Sequence, residues 1–393
     1  MIKNKINLKY KIQIIGCSNS LIKNWNFEKN NISIFPIIAN QSTDNGIAGY
    51  SSNYITNKKN LTMSGAGSIG NLFIHNEPIS GTDHVFCLIP HDEKKYDVSF
   101  LLYALKTINW WDLSIGSAQR VLSQNVVKNV LIPNINFHTQ TKITNFLDSK
   151  TQKLDKITEL LKKKQDLLKE YKQSLINETV SGNNPECYVD HRERGQIKMK
   201  YILKEIIGGG TPESSNDKFY TNVDTAIPWI TIGDMSTVDY VKITEKYLTK
   251  QGKESKNLQL LPTGTLIYSI YATIGKVSET LFPATINQAL LGFIINEDKI
   301  SKEYLKFVLK NLEEFIIQKS TSSIQNNLNL ESIRNTIIPF YSLNTQNKIF
   351  KYIKIKYEIV QKENDYLINQ LENIKLYKQS LINETIENGG EQI

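Results

Sequence analysis

The chain contains an internal repeat, which limits the folds open to it more than any other feature. Residues 171–179 read YKQSLINET, and residues 377–385 read YKQSLINET again, 206 positions later. The same displacement places Gln140 on Gln346. Nine consecutive identities at one offset indicate a tandem duplication, because self-similarity at a fixed displacement is the signature of repeated structural units.

The match weakens upstream of these tails but keeps its order. SIG at residues 68–70 corresponds to TIG at 273–275, and FLLYALK at 100–106 corresponds to YLKFVLK at 304–310. Each copy therefore has a diverged body followed by a preserved tail.

Apolar residues recur every seven positions in both tails, and neither tail contains Gly or Pro. The recurring residues are Leu147, Leu154, Leu161, Leu168 and Leu175, then Ile353, Val360, Leu367, Ile374 and Leu381. A sustained seven-residue period is typical of a coiled coil. The alternative is a pair of ordinary amphipathic helices, each packed on its own body.

The diverged bodies have the pattern of a mixed α/β fold, with β-rich runs followed by an amphipathic helix. In the first body we expect strands at 61–64, 72–75 and 85–89 and a helix near 99–108. In the second we expect β-rich runs at 226–234 and 264–270 and a helix at 300–313.

A glycine-rich segment, GAGSIG at residues 65–70, satisfies the G-x-G-x-x-G pattern of dinucleotide and S-adenosylmethionine sites. That fingerprint needs a helix to open within it, whereas the next residues, NLFIHNEPIS, are β-like and interrupted by Pro78. We therefore predict a tight turn between two strands and no cofactor.

Other catalytic chemistry has little support in the sequence. Five histidines and three cysteines show no metal-ligand spacing, so no metal site is expected. The acids Glu186, Asp190 and Glu193 suggest a nuclease site, but they lie in a polar linker and are better explained as solvated linker residues.

Charge and cysteine usage bear on partners and compartment. The net charge of +8 and pI near 9.0 suit a polyanionic partner. Three scattered cysteines argue against a disulfide framework and favour a reduced, cytoplasmic interior. No apolar run is long enough to predict a membrane span.

The alternation of two diverged bodies with two preserved helices resembles the specificity subunit of type I restriction–modification systems. The resemblance covers essentially the whole chain. Its elements are the Ile-Pro…Gln…Ile runs at 132–143 and 338–349, the tails ending in LINET, GGGTPESSNDKFY…IPWITIGDM at 208–235, and DNGI at 44–47 with the following GY. The Trp-…-Leu-Gly opening usual in that family is not evident before Cys17.

The resemblance implies an α/β fold with two similar target recognition domains separated by two long antiparallel coiled-coil helices, in a pseudo-twofold arrangement. The expected boundaries are 1–146 for the first recognition domain, 147–180 for the first spacer helix, 181–196 for a linker, 197–350 for the second recognition domain and 351–388 for the second spacer helix.

The resemblance also implies a DNA-binding subunit without catalysis of its own. Each body would read one half of a bipartite site on double-stranded DNA, and the helices would set the spacing. Two modification subunits, which carry the methyl donor and the chemistry, would dock on the helices, and restriction subunits would join through the complex. The alternatives are a DNA methyltransferase or nuclease in its own right, and a coiled-coil scaffold with no role on DNA.

Polar residues in turns after strands are candidates for DNA contact, because amide side chains pair with adenine and cations with guanine or phosphate. In the first body these are Asn45, Tyr50, Ser64, Ser68, Thr82, His84 and Gln119. In the second they are Thr231, Asp234, Tyr268, Tyr271, Thr273, Lys276, Asn287, Gln288 and Gln325. A structural role remains open for each. Trp229 is expected in the core.

Overall fold

The computed structural model describes residues 4–57, 59–117, 119–224, 226–271, 273–320 and 330–390. The chain divides into two compact units: Met1–Lys162 with Leu367–Ile393 form unit 1, and Lys163–Tyr366 form unit 2. Each unit holds a body together with a part of both long helices. The division thus falls within each long helix, whereas the sequence-based boundaries treated each helix as a segment separate from the two bodies.

Unit 1 contains a body of short strands followed by helices. Its strands are β1 (Lys5–Asn7), β2 (Ile12–Gly16), β3 (Phe35–Ile38), β4 (Ile47–Ser51), β5 (Asn60–Ser64), β6 (Leu72–His75), β7 (Ser80–Gly81), β8 (Val85–Pro90) and β9 (Leu131–Pro133). Its helices are α1 (Val98–Lys106), α2 (Trp110–Leu113), α3 (Gln124–Asn129) and the first part of α4 (Phe137–Val180).

Besides the two-stranded pair of β1 and β9, two larger sheets build the body of unit 1. The first has the order β2-β8-β5-β6 with antiparallel neighbours, and the second has the order β4-β3-β7, in which β3 and β7 are parallel. All six residues of β8 are buried, and Phe100 and Leu101 of α1 join the same core as Leu88. The predicted strands at 61–64, 72–75 and 85–89 and the helix near 99–108 are confirmed.

Unit 2 contains the corresponding elements. Its strands are β10 (Gly195–Lys198), β11 (Leu203–Gly208), β12 (Tyr220–Thr221), β13 (Ile227–Ile230), β14 (Tyr240–Val241), β15 (Tyr247–Leu248), β16 (Leu266–Ser269), β17 (Val277–Thr280), β18 (Thr285–Ile286), β19 (Leu290–Ile295) and β20 (Ile337–Phe340). Its helices are α5 (Ile232–Met235), α6 (Lys250–Ser255), α7 (Lys302–Ser320), α8 (Leu330–Asn335) and the first part of α9 (Leu343–Glu387).

The sheets of unit 2 repeat those of unit 1. The order β11-β19-β16-β17 reproduces β2-β8-β5-β6, with β14 added beside β17. The parallel pair β13 and β18 reproduces β3 and β7, and the pair β10 and β20 reproduces β1 and β9. The duplication seen in the sequence is therefore a duplication of fold, and the α/β class is confirmed.

One predicted strand is wrong in its second half. The run at 226–234 was expected to be β-rich throughout, but β13 ends at Ile230 and α5 follows immediately. The cause is a capping box: the carboxylate of Asp234 accepts hydrogen bonds from the backbone N–H and the hydroxyl of Thr231, at 2.7 and 2.8 Å.

Each long helix begins before the apolar period does. Helix α4 starts at Phe137, where the Asn136 side chain accepts a hydrogen bond from the backbone N–H of Thr139 at 2.9 Å. An asparagine at this position satisfies one of the unpaired N–H groups of the first helical turn. The residues of the seven-residue period are buried or half-buried, with Leu147 at 0% and Leu367 at 1% exposure, so this row is the covered face.

The helices run antiparallel within each unit. In unit 2, Lys164 pairs with Glu363, and further along α4 the Lys172 ammonium lies 4.1 Å from the ring centre of Tyr357. Residue numbers thus rise along one helix as they fall along the other. In unit 1, Asp155 and Lys378 form an ion pair at 2.6 Å.

The helix ends also pack on the bodies. The core of unit 1 includes Leu147 of α4 and Ile382 of α9, and the core of unit 2 includes Ile176 and Ile353. The two alternatives that the periodicity left open therefore both apply, to different stretches of the same helices.

A duplicated glutamine ties each body to the start of its long helix. The Gln140 side chain accepts a hydrogen bond from the backbone N–H of Asp97 at 3.0 Å and donates to the carbonyls of Lys95 and Ile135 at 3.0 and 2.9 Å. Gln140 is completely buried, so its amide satisfies three backbone groups that water cannot reach.

Gln346 repeats this arrangement in unit 2. It accepts from the backbone N–H of Ser301 at 2.7 Å and donates to the carbonyls of Lys299 and Tyr341 at 3.1 and 2.8 Å. The preserved glutamine of the sequence repeat is thus a preserved structural contact.

Candidate nucleic-acid interface

The glycine-rich segment of unit 1 is a turn between two strands, as the sequence predicted. Residues 65–70 connect the antiparallel strands β5 and β6, and the backbone N–H of Gly70 donates to the carbonyl of Ser64 at 2.8 Å. Gly70 has a φ of +80°, a conformation that glycine adopts without steric cost. At the other end of the turn, the N–H of Gly65 donates to the carbonyl of His84 at 2.7 Å.

The turn between β16 and β17 in unit 2 has the same hydrogen bonds. Gly275, with a φ of +90°, donates its N–H to the carbonyl of Ser269 at 3.0 Å. The N–H of Ile270 donates to the carbonyl of Ala289 at 2.9 Å, as Gly65 does to His84. One glycine of the pattern therefore suffices to preserve the turn.

A second junction is also common to both units. The backbone N–H of Thr82 donates to the carbonyl of Ile38 at 2.8 Å, and that of Asn287 donates to the carbonyl of Ile230 at 3.0 Å. These bonds continue the parallel pairs β3·β7 and β13·β18 by one step beyond the strands. They fix the segments 82–84 and 287–289 against the ends of neighbouring strands.

Side chains of unit 1 connect these segments. The Asp83 carboxylate accepts from the hydroxyl of Ser18 at 2.9 Å and from the backbone N–H of Asn19 at 3.1 Å. These two bonds, the one from Asn19 first, lower the pKa of Asp83. The Asn40 amide donates to the Asp83 carbonyl at 2.7 Å. Three loops therefore meet at Asp83.

The equivalent contact in unit 2 uses different side chains. The hydroxyl of Thr211 is hydrogen-bonded to the side-chain carbonyl of Gln288. The Trp229 indole donates to the carbonyl of Gly210 at 3.1 Å and is buried, as expected. A Thr–Gln pair thus stands where unit 1 has Ser–Asp.

The strand ends and the segments that follow them form what we call the loop edge of each unit. In unit 1 the loop edge comprises residues 17–19, 39–41, 65–70 and 82–84. In unit 2 it comprises residues 209–212, 231, 270–271, 273–276 and 287–289. The same backbone hydrogen bonds support both loop edges, while the side chains on them differ.

Comparisons with known proteins agree with this geometry. A family model described as type I restriction modification DNA specificity domain matches residues 12–170 and 201–373, one match in each copy of the repeat. The chain belongs to this family. The resemblance inferred from the repeated tails and the body motifs is thereby confirmed.

Two curated relatives of this family match parts of the chain. The specificity subunit of the type I restriction enzyme MjaIX from Methanocaldococcus jannaschii is 31% identical over 178 residues, 44% of this chain and 40% of the relative. That of HindI from Haemophilus influenzae is 34% identical over 115 residues, 29% of this chain and 24% of the relative. The matched stretches thus span less than half the length of these relatives.

Solved structures show that the fold is shared. A chain from a study of complex assembly and conformational transition of the type I R-M system aligns with a TM-score of 0.75 at 14% identity, covering 98% of this chain and 97% of that one. The HsdS subunit from Thermoanaerobacter tengcongensis aligns with a TM-score of 0.55 at 15% identity, covering 98% and 96%.

Three of the predicted contact residues, Ser68, Thr82 and His84, lie on the loop edge of unit 1, and a fourth, Ser64, ends β5 directly before it. His84 is exposed and has a φ of +65°, Ser68 and Thr82 are half-buried, and Ser64 is buried at 4% exposure. His84 and Ser68 can therefore reach a ligand most directly. Ser64 contributes its backbone to the turn.

The other three candidates of unit 1 lie elsewhere or on an adjoining loop. Asn45 is exposed with a φ of +52°, and Tyr50 is half-buried in β4. Gln119 is exposed on the loop before Leu122, whose backbone N–H donates to the carbonyl of Gly65 at 2.7 Å. The Gln119 loop is thus joined to the loop edge.

In unit 2, four candidates lie on the loop edge with accessible side chains. Tyr271, Thr273 and Gln288 are exposed, and Asn287 is half-buried, with its side chain accepting from the backbone N–H of Ala289 at 3.2 Å. These residues come from two different loops. The structure therefore brings together positions that are 14 or more residues apart in the sequence.

Thr231 and Asp234 have an internal role in this structure. Besides closing the capping box, Asp234 accepts from the hydroxyl of Thr244 at 3.2 Å and from the backbone N–H of Glu245 at 3.1 Å. The carboxylate thus joins α5 to the loop before β15. Its oxygen atoms are engaged by the protein itself.

The last three candidates of unit 2 have different surroundings. Tyr268 is 3% exposed and its ring stacks on Phe293 with centroids 5.6 Å apart, so its side chain belongs to the core. Lys276 forms an ion pair with Glu313. Gln325 lies outside the described residues.

Some residues placed at or beside the loop edge of unit 1 were not among the candidates. Ser18 and Asn40 reach Asp83 from loops 65 and 43 residues away. Trp111 is 56% exposed, with the Arg120 guanidinium 5.0 Å from its ring and hydrogen-bonded to its carbonyl at 2.8 Å. The Trp-Trp sequence at 110–111 could have indicated the Trp111–Arg120 contact. Two adjacent helical residues point in different directions, so when Trp110 is in the core Trp111 is left on the surface.

The described residues contain no group of three or more His, Cys, Asp or Glu side chains placed to hold a metal ion. In the same part of the chain, none of the helices is long and apolar enough to cross a membrane. Cys17, Cys87 and Cys187 are buried free thiols.

Proposed function

We propose that the chain is the DNA sequence-recognition subunit of a type I restriction–modification complex, with each body reading one half of a bipartite target. The observation that carries this proposal is the pair of loop edges. Both have the same backbone frame, but Asp83 and His84 on one stand where Gln288 and Ala289 stand on the other. Such a pair can present different hydrogen-bonding groups to two half-sites without a change of fold.

The side chains proposed to contact DNA are those that the loops leave accessible. They are Asn45, Ser68, His84 and Gln119 in unit 1 and Tyr271, Thr273, Asn287 and Gln288 in unit 2. Amide groups can pair with two positions on adenine, and hydroxyl and imidazole groups can bond to bases or phosphates. For Ser64, Thr231, Asp234 and Tyr268 we favour a supporting role, because their side chains are buried or engaged within the protein.

Docking of two modification subunits on the long helices is part of the same proposal, with restriction subunits joining through the complex. Exposed apolar residues on the helices support it: Leu160 and Leu167 of α4 are 57% and 53% exposed, and Tyr366 and Leu376 of α9 are 57% and 62% exposed. Leu160 and Leu167 are seven residues apart and so share one face of α4, and contiguous exposed apolar surface is typical of protein-binding sites. The identity of the two tails fits two copies of the same partner.

We further propose that the chain does not catalyse methyl transfer or cleavage itself. The glycine-rich segment, which suggested a methyl-donor site, is engaged as a strand-to-strand turn in both units. Purified chain incubated with labelled methyl donor and DNA should transfer no label until modification subunits are added. We place the complex in the cytoplasm, where buried free thiols remain reduced.

The test is to express the chain with modification subunits and map the methylated bases. The variant Thr273→Ala/Gln288→Ala should relax one half of the target, and Ser68→Ala/His84→Ala should relax the other. Each lost base contact is expected to cost about 1–3 kcal/mol of discrimination.

The matched control is Glu205→Ala, an exposed residue on β11 outside the loop edge. It should leave both halves unchanged. The proposal is overturned if both double variants, folded and assembled, methylate the parental sequence unchanged, or if either one alters both halves together.

A further inference from the structure

A lysine-lined groove lies beside the loop edge of unit 2. It has a volume of about 300 Å³ and is bounded by the second half of α4, by α7 and by the segment after α5. Its lining includes Lys169, Lys172, Lys276 and Lys310, against the two acids Asp239 and Glu313. The groove therefore has an excess of positive charge.

A corresponding groove of about 390 Å³ lies in unit 1. Its lining includes Lys106, Lys375 and Lys378, and the described residues that line it include no acid. Lys375 and Lys378 follow Lys169 and Lys172 at the repeat displacement of 206 residues. The same preserved tail thus supplies two lysines to a groove in each unit.

Neighbouring acids compensate only part of this charge. Lys310 pairs with Asp239 at 2.5 Å and Lys276 pairs with Glu313, whereas Lys169 and Lys172 form no ion pair with any residue in the described ranges.

The same imbalance occurs in unit 1. Lys378 pairs with Asp155, but Lys106 and Lys375 form no ion pair within the described part of the chain. Each groove thus keeps two lysines whose charge an added anion could neutralise.

The lysines of each groove also repel one another. Partial burial and then the charge of Lys310 lower the pKa of Lys172. Partial burial and then the charge of Lys378 lower the pKa of Lys106. The repulsion occurs between a tail lysine and a helix lysine at equivalent positions in both units, and a bound anion would relieve it.

We propose that each groove binds a phosphate group of the DNA backbone, an inference that rests on the proposed function. The grooves include the last residues of the glycine turns, Gly70 and Asn71 in unit 1 and Lys276 in unit 2, and so border the loop edges. Phosphate contacts position a protein on DNA without reading sequence, while base contacts specify it. Identical tail lysines beside divergent loop edges match this division.

The experiment measures how salt weakens DNA binding by the assembled complex, on one duplex with the target and one without it. Lys172→Gln and Lys375→Gln each remove a groove lysine that has no ion pair among the described residues, and Lys153→Gln and Lys362→Gln remove exposed helix lysines that line neither groove. Each groove variant should reduce the slope of log affinity against log salt by about 0.9 on both duplexes. Between 50 and 200 mM salt, affinity should then fall about threefold less than for the parent.

The controls should change the slope by less than half as much, and Lys172→Arg should restore it. The methylated sequence should stay the same in every variant. Slopes equal to those of the controls overturn the inference, and so does loss of modification-subunit binding with the DNA slope intact, which would assign the grooves to acidic side chains of that partner.

Inorganic phosphate distinguishes a free anion from a DNA phosphate. If millimolar phosphate raises the unfolding temperature of the parent chain but the groove variants keep the parental slope, the groove takes free phosphate and the inference is wrong. If instead the parent complex shows no preference for the target duplex, the proposed function itself fails.

Discussion

Replacing Gln140 by Met tests whether the duplicated glutamine holds the long helix to the body of unit 1. Methionine has nearly the same length and volume, so the change removes hydrogen bonds with little change in packing. The side chain is 0% exposed, and its amide is bonded to the N–H of Asp97 and to the carbonyls of Lys95 and Ile135. All three backbone groups would lose their partner.

The expected cost follows from these three bonds. A buried hydrogen bond contributes about 1 kcal/mol net, and a group left buried without a partner costs about 1–3 kcal/mol. The substitution should therefore destabilise unit 1 by at least about 3 kcal/mol. For a domain of 150–250 residues, 1 kcal/mol shifts the unfolding midpoint by about 2–4 °C, so we expect a fall of about 6–12 °C. Gln346→Met should have a similar effect in unit 2, where the same three bonds recur.

Calorimetry of each purified variant gives the shift, and hydrogen exchange shows which unit opens. Gln140→Met should increase exchange at the start of α4 and Gln346→Met at the start of α9. The control is Gln379→Met, because Gln379 is exposed and, among the described residues, donates to the carbonyl of Lys106 and to the side chain of Asn383. A midpoint for Gln140→Met within about 1 °C of that of the control would refute the reasoning.

Three further predictions concern pH, the helices and the capping box. Burial lowers the pKa of His75 to about 4, so this side chain stays neutral in the folded chain, whereas in the unfolded chain it takes up a proton below about pH 6.5. The free energy of unfolding should therefore be highest above pH 6.5 and fall by up to about 3 kcal/mol toward pH 4. Urea unfolding at several pH values should show a smaller fall for His75→Gln. Matched four-residue insertions after Lys164 and Glu363 add about 6 Å of helix and should lengthen the spacing between the two halves of the methylated target by one or two base pairs. Two-residue insertions rotate the apolar row by about 200° and should abolish assembly, as measured by sizing chromatography. Asp234→Ala should lower the unfolding free energy by about 1–2 kcal/mol, and a loss of DNA discrimination without a loss of stability would contradict the capping role.

The architecture was predictable where the sequence signal repeats. Nine identical residues at one displacement predicted two copies of one fold, and the sheet orders of the two units confirm it. The seven-residue period predicted the covered face of both long helices, since this signal depends on local spacing alone. The first residue of the period, Leu147, did not predict where α4 begins, because Asn136 caps the helix and the helix starts at Phe137.

The site was less predictable because its geometry depends on distant contacts. Tyr268 was predicted among the residues in turns after strands, but it lies within β16, where all four residues are buried. Asp234 was predicted as a contact residue, yet its carboxylate accepts two hydrogen bonds from Thr231 and one from Thr244. Ser18 and Asp83 are 65 residues apart, and no local pattern marks them as neighbours.

The way in which the loop edges are supported explains how the two bodies could diverge without losing their fold. The bonds that place the turns, from Gly70 to Ser64 and from Gly275 to Ser269, join backbone atoms. Backbone bonds do not depend on side-chain identity, apart from the glycine that the positive φ requires. Side chains at the tips of these turns can therefore change from one body to the other at little cost in stability. The glutamine that anchors each long helix works through its own side chain, and that residue is identical in both copies.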